Sequence, residues 1–300
     1  MHITLALAYR GMLSERYFNG IVCLALCFRA FDVIICASLF MAYSQSTKIV
    51  YFDAKFCPLS GFEMTITHEH PACILALDTC TESCSAALQY QGQIYAELAD
   101  APREHSQRLL PMVDSVLKQA GIRLDKVTAI AYGRGPGSFT GIRICTSMTQ
   151  GLALGLDLPV IGISTLAAMA QMAISQHQAE QVLCTIDARM GEVYWGQFVA
   201  VDGIATLVGK EVVSAPADVL LQLDTQAPIV GCGTGFDAYP DLLALGKGIL
   251  ALEAVKYPDA KAMLILAEAG IKAGLTTSVD ELEPVYLRDT VTWKKLPGRE

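Results

Sequence analysis

One pattern in the chain occurs twice. Cys73-Ile-Leu-Ala-Leu-Asp78 is a short apolar run ending in an acid, and Val182-Leu-Cys-Thr-Ile-Asp187 repeats it in the second half. After Asp78 come a polar turn, Thr79-Cys-Thr-Glu-Ser83, a run from Ser85 to Tyr90, a turn at Gln91-Gly92-Gln93 and a further run from Ile94 to Leu98. After Asp187 come a turn through Arg189 and Gly191, a run from Val193 to Val199, a turn at Asp202-Gly203 and a third run. Asp78 to Gly92 is 14 residues and Asp187 to Gly203 is 16, so order and spacing nearly agree. Short apolar runs bounded by turn residues read as strands, and Gly-containing turns between them read as hairpins. A chain that carries this unit twice, each time followed by helical patterns, is constrained to two similar α/β lobes with mixed sheets flanked by helices. The polar stretch Gln176–Gln181 places the boundary near residue 178, giving lobes at 72–178 and 179–300.

The intervening grammar supports this. Leu109, Leu110, Met112, Val113, Val116 and Leu117 recur at helical spacing over 105–120, Gly121 stops that helix, and Pro111 is expected to kink its first turns. A strand from Val127 to Tyr132 leads through a Gly-rich loop into a helix from Ser138 to about Leu154. Val160 to Ile163 reads as a strand and Ser164 as the cap of the next helix. In the second half, Ile229-Val230 runs into Gly231-Cys-Gly-Thr-Gly235, with helical stretches near 237–245 and 259–273.

Composition bounds what such a chain can do. With 53% hydrophobic and 17% charged residues it can bury large cores, which excludes a disordered tail. A net charge of −8 excludes broad nonspecific binding to nucleic acid, which needs basic surface to displace counterions. Residues 1–63 carry a net +1, so the body is more acidic than the total. Residues 20–43 form an apolar run broken only by Arg29 and Asp32. As a membrane span the run has the right length, but each mid-span charge costs about 2.5–3.5 kcal/mol. As a signal peptide it lacks an unbroken apolar core. A third reading is an atypical leader outside the working protein, with translation starting at Met64; an anchor and an uncharacterised extension stay open beside it, and no membrane partner is expected. Ten cysteines occur without a Cys-x-x-Cys pair or a zinc-type Cys/His cluster, so reduced buried thiols and a cytoplasmic location are expected.

Gly133-Arg-Gly-Pro-Gly-Ser-Phe-Thr-Gly141 is the most unusual segment. Glycines between a strand and a helix let backbone amides approach an anion, and the helix start at Ser138 adds a favourable dipole. The loop lacks the Lys-Ser/Thr of a Walker A motif and the third glycine of a dinucleotide fingerprint. The alternative is a tight packing turn. Asp78 and Asp187 end strands at matching places, where an acid either orients a metal-bound water or phosphate or caps its hairpin turn. Asp78, Gly135, Gly137 and Ser138 are the anion candidates on this reading. No histidine stands at triad or metal-ligand spacing, so a catalytic histidine is not expected. The helix after the loop mixes small residues with Ile142, Ile144, Met148 and Leu152, which suits packing either on its own sheet or on another subunit.

Ile74-Leu-Ala-Leu-Asp-Thr-Cys-Thr-Glu82, Glu104-His-Ser-Gln-Arg-Leu-Leu-Pro111, the Gly133–Arg143 segment, and the tail Glu283-Pro-Val-Tyr-Leu-Arg288 with Trp293-Lys-Lys-Leu-Pro-Gly298 together resemble the TsaB (YeaZ) family. The resemblance runs from about residue 72 to 300 and leaves 1–63 uncovered. It implies the two-lobed actin-like ATPase (ASKHA) fold. It also implies a scaffold role in making N6-threonylcarbamoyladenosine at position 37 of tRNA, as the non-catalytic partner of the paralogue TsaD. The implied associates are the ATPase TsaE, the TsaC product threonylcarbamoyl-AMP and tRNA through the complex, with ATP or ADP at the complex interface and a homodimer when the chain is alone. The resemblance extends the anion reading to a nucleotide at the Asp78–Thr79 turn and the Gly135–Gly141 loop. The paralogue's pattern carries a His-x-x-x-His metal pair where this chain has Thr165 and Met169, neither of which replaces imidazole. The expected partner face comprises His105, Leu109, Leu110, Val113 and Leu117 on the first helix. On the second it comprises Gly141, Ile142, Cys145, Met148 and Leu152. A glycoprotease-like metallohydrolase and a stand-alone actin-fold kinase are the alternatives.

Overall fold

The computed structural model describes residues 73–288 and four strands that precede them. The chain divides into two units, Met1–His68 and Glu69–Glu300. In the first, β1 (Glu15–Phe18), β2 (Ile21–Ala30), β3 (Val33–Ala42) and β4 (Phe56–Cys57) form an antiparallel sheet in chain order. The apolar run of the leader supplies β2 and β3. The expected start at Met64 and the tail motif beginning at Trp293 lie outside the described residues.

The second unit contains the duplication. Strands β5 (Ile74–Asp78), β6 (Ser83–Tyr90), β7 (Gln93–Asp100), β8 (Ala129–Gly135) and β9 (Val160–Ser164) form one sheet in the order β7-β6-β5-β8-β9. Strands β10 (Gln181–Arg189), β11 (Glu192–Val201), β12 (Ile204–Ser214), β13 (Ile229–Cys232) and β14 (Ile249–Ala251) form the other, in the order β12-β11-β10-β13-β14. In each, the first three strands are an antiparallel meander and the last two run parallel to the first. Two mixed sheets of this order with flanking helices make the actin-like fold. The hairpin turns explain the repeated spacing. Gln91-Gly92 and Asp202-Gly203 all take positive φ, between 51° and 77°, as the two-residue turn that matches strand twist demands.

The helices are α1 (His105–Gln119), α2 (Phe139–Leu156), α3 (Thr165–His177), α4 (Gly235–Ala238) and α5 (Ala260–Lys272). Ser164 caps α3, its Oγ accepting from Leu166 N at 3.1 Å and Ala167 N at 3.3 Å. Asp259 caps α5 in the same way, accepting from Lys261 N at 2.9 Å. Helix α1 runs unbroken through Pro111, which only withholds one backbone bond near the helix start. The helical stretch expected over 237–245 is instead the single turn α4 and a 3₁₀ turn at Pro240–Ala244. Pro240 is the reason: it pushes Tyr239 out of the helical region, to φ −137° and ψ 77°.

The halves exchange helices. α3 packs on β10, β11 and β12 of the second sheet, α5 packs on β5, β6 and β9 of the first, and the two pack on each other. One core layer joins Ile74, Ala131, Ile161 and Ala168 to Met263, Leu264 and Ala267 of α5. Another joins Leu166, Met169 and Ala173 of α3 to Val182, Cys184 and Phe198. The meander ends and the loops leading into α2 and α4 therefore converge between the sheets.

Candidate functional site: an interlobe cleft and the face of a helix

The Gly-rich loop lies against the turn that follows β5. A Cβ added to Gly133 would stand 1.9 Å from Asp78 Oδ2; one on Gly137 would stand 2.0 Å from the Cys80 carbonyl, and one on Gly141 2.0 Å from the Thr79 carbonyl. Ser138 N donates to Cys80 O at 2.7 Å, and Thr79 Oγ1 donates to Gly141 O at 2.7 Å. The glycine spacing thus serves direct backbone packing of loop on turn, the second of the two readings given above.

The five anion and nucleotide candidates differ in how far they are covered. Asp78 and Thr79 are fully buried, and Gly135 is covered by the C-terminal segment, with Val285 O 2.7 Å from where its Cβ would be. Of the five candidates only Gly137 and Ser138 line open space. At Asp78 and Thr79 the backbone of the Gly-rich loop packs directly on the turn. Asp78 Oδ1 accepts from Cys80 N at 3.0 Å, while Oδ2 has no hydrogen-bond partner among the described residues. Burial pushes this carboxyl up to about 7, outweighing the hydrogen bonds from Cys80 that favour its charged form.

Asp187 sits differently. Its Oδ1 accepts from Arg189 N at 2.8 Å and its Oδ2 pairs with Arg189 Nη1 at 3.0 Å, so it caps its turn. Arg189 also reaches Glu82 of the other lobe at 3.3 Å. Between them lies a cleft of about 620 Å³. Its walls are Cys80–Glu82, Pro136–Phe139, Ile186–Arg189 and the segment Val285–Arg288. That last wall has no helical or strand periodicity, and its contribution was not readable from sequence.

The partner-face list divides. His105, Leu109, Val113 and Leu117 are buried on the inner face of α1, and His105 Nε2 sits 2.9 Å from Thr81 O. Gly141, Ile142 and Cys145 are buried on the inner face of α2, where Cys145 Sγ donates to Leu77 O at 3.3 Å. Met148 and Leu152 are half-buried against the same core, and only Leu110, 45% exposed, points outward. Apolar periodicity finds the buried face of a helix, and that face meets this chain's own sheet. The outward face of α2 carries Phe139, Arg143, Ser147, Gly151, Leu154 and Gly155. Phe139 is 56% and Leu154 70% exposed, and a Cβ added at Gly151 or Gly155 would meet nothing within 4 Å. A shallow groove of about 430 Å³ runs along it between Phe139 and Met148.

Thr165 and Met169 are fully buried at the start of α3. Among the described residues no group of three or more His, Cys, Asp or Glu side chains is placed to hold a metal ion. The six described cysteines are free and buried, with Cys184 and Cys232 sulfurs 3.1 Å apart on paired strands. No helix among the described residues is long and apolar enough to cross a membrane.

The chain is similar to known proteins over most of its length. A family model described as "TsaD: tRNA N6-adenosine threonylcarbamoyltransferase" matches residues 89–296. The chain is 47% identical over 229 residues to the tRNA threonylcarbamoyladenosine biosynthesis protein TsaB of Escherichia coli K12, covering 76% of this chain and 99% of that one. It is 45% identical over 236 residues to the TsaB protein of Haemophilus influenzae, covering 76% and 98%. The solved structure of YeaZ from Pseudomonas aeruginosa is 43% identical, covers 72% of this chain and 100% of its own, and superposes with a TM-score of 0.68.

Proposed function

The chain belongs to the TsaB family of tRNA threonylcarbamoyladenosine biosynthesis proteins, and on that premise we propose that it is the non-catalytic scaffold that pairs with TsaD in the complex modifying position 37 of tRNA. The observation that carries the scaffold role is the outward face of α2. Phe139 and Leu154 stand exposed at its ends, and Ser147, Gly151 and Gly155, four residues apart, leave a shallow row between them. A row at this spacing is a groove into which another helix's ridge packs, and exposed apolar side chains flanking it favour coverage. Leu110 of α1 extends the same reading. The same face would serve a homodimer when TsaD is absent.

The non-catalytic part is supported by Thr165 and Met169. They stand where the paralogue pattern carries its two histidines, and both are sealed in the core. TsaE, threonylcarbamoyl-AMP and tRNA then belong to the assembled complex, in the cytoplasm. Any ATP or ADP would be held in the cleft at the complex interface, where Gly137 and Ser138 of the candidate set line open space.

Gly151→Lys tests this. The position is an exposed helix site with open space around it, so the variant folds with unchanged or slightly raised stability. It should lose co-purification with TsaD, and reconstituted tRNA modification should fall with it. Retained binding at wild-type affinity would sink the assignment of this face.

A further inference from the structure

We propose that the segment Leu282–Arg288 is a strap coupling the outward face of α2 to the interlobe cleft, so that a protein docking on Phe139 and Arg143 loosens the cleft. The inference rests on the reading of α2 as the TsaD-binding face and adds a consequence of that binding.

The strap is anchored at three successive points. Leu282 is buried in the first lobe's core, and Tyr132 Oη donates to Glu283 O at 3.3 Å. Val285 N donates to Arg134 O at 2.7 Å, laying the backbone on Gly135, where only a glycine at φ 97° leaves room. Tyr286 then turns outward. Its ring centroid is 5.4 Å from that of Phe139, and its Oη accepts from Arg143 Nε at 3.4 Å. The Arg143 guanidinium itself lies 3.8 Å from the Phe139 ring centroid. Two residues on, Arg288 reaches the second lobe, where it pairs with Glu192 and donates to Arg189 O at 3.4 Å. Arg189 is the residue that bridges Asp187 and Glu82 across the cleft.

Phe139 and Tyr286 therefore stand where the docking face meets the cleft wall, and Arg288 lies deeper on the cleft, against the second lobe. An extended chain spans about 7 Å over two residues, too little to absorb a displacement at one end without moving the other. Phe139 and Arg143 are exposed, so a protein covering them competes with Tyr286 for the same ring and guanidinium. A seated strap and a lifted one then differ in affinity for that protein, which is what a population shift needs. Reciprocity follows: occupancy that holds Arg288 in place weakens docking by the same factor.

Hydrogen exchange on the full chain tests the coupling in two arms. In the free chain, Tyr286→Ala should speed exchange at residues 187–192 by about fivefold or more through loss of the Arg288 contacts, with β5 unaffected. Unchanged exchange there overturns the coupling whether or not TsaD binds. In the second arm, TsaD added to the wild type should protect α2 and speed exchange at 187–192, and Arg288→Ala should abolish the second effect while keeping the first. Protection of α2 with no change at 187–192 overturns the coupling and leaves the partner reading standing. Absence of protection on α2 overturns the partner reading, and the free-chain arm then decides the coupling alone.

Discussion

At the scale of single residues, Asp78 and the loop glycines carry the sharpest consequences. The carboxyl of Asp78 is raised from 3.8 to about 7 by burial, so the folded chain holds a proton that the unfolded chain has released. The sign follows from linkage: below pH 4 both states are protonated and the group costs nothing. As pH rises from about 4 to about 7, the unfolded state ionises and stability falls by about 1.4 kcal/mol per unit, reaching a total on the order of 4 kcal/mol. Above 7 both forms are ionised and the loss levels off. Asp78→Asn should remove this slope, as urea melts at pH 5 and pH 8 would reveal; a slope equal to that of the wild type would mean the carboxyl is not held neutral. Gly137→Ala probes the packing reading of the loop. A Cβ 2.0 Å from a backbone carbonyl forces loop and turn apart, an expected loss of about 3 kcal/mol in denaturant stability, although the chemistry added is one methyl.

At the scale of elements, α1 and α2 show what periodicity reports. The pattern Leu109, Leu110, Met112, Val113, Val116, Leu117 marked a helix and, Leu110 apart, marked its buried face. It did not say what covers that face. Leu117, at 7% exposure, belongs to the chain's own core, so Leu117→Lys should unfold the protein and cannot serve as an interface probe. Circular dichroism on this variant beside Gly151→Lys separates the two faces: loss of the folded signal is expected for the first only. Ser138 and Ser164 were recognisable as helix starts because a hydroxyl before a helical run has a local partner in the first turn. The break at Tyr239–Pro240 was equally local in origin, and proline chemistry identifies it once the apolar stretch is not read as one helix.

At the scale of the whole molecule, the exchange of α3 and α5 makes the two sheets one cooperative structure. Met263 is fully buried in the layer that α5 contributes to the first sheet, and Met263→Ala should cost about 2–5 kcal/mol. Because α5 also packs on α3, the loss should appear in both halves: exchange in β5 and in β10 should rise together. A rise confined to β5 would show that the lobes unfold independently. The pair Arg189–Glu82 crosses the cleft at an exposed position and contributes at most about 1 kcal/mol, so the helix layer, not the ion pair, holds the lobes together.

The repeated strand-acid-turn units were legible because each is a local feature: an apolar run, a polar turn and a Gly turn are written in adjacent residues, and their recurrence gives two lobes with mixed sheets. Helix caps and the family motifs are legible for the same reason. What only the tertiary structure decided are relations between distant segments. The spacing of Gly133, Gly137 and Gly141 permits an anion cradle or close packing equally well, and only the fold brings the Thr79 and Cys80 carbonyls to within 2.0 Å of where a Cβ on Gly141 or Gly137 would stand. The apolar face of α2 permits an own core or a partner, and Leu77 and its sheet occupy it first. Glu283–Arg288 has no period of its own, so its path over Gly135 to Glu192 exists only because the two lobes stand on either side of it.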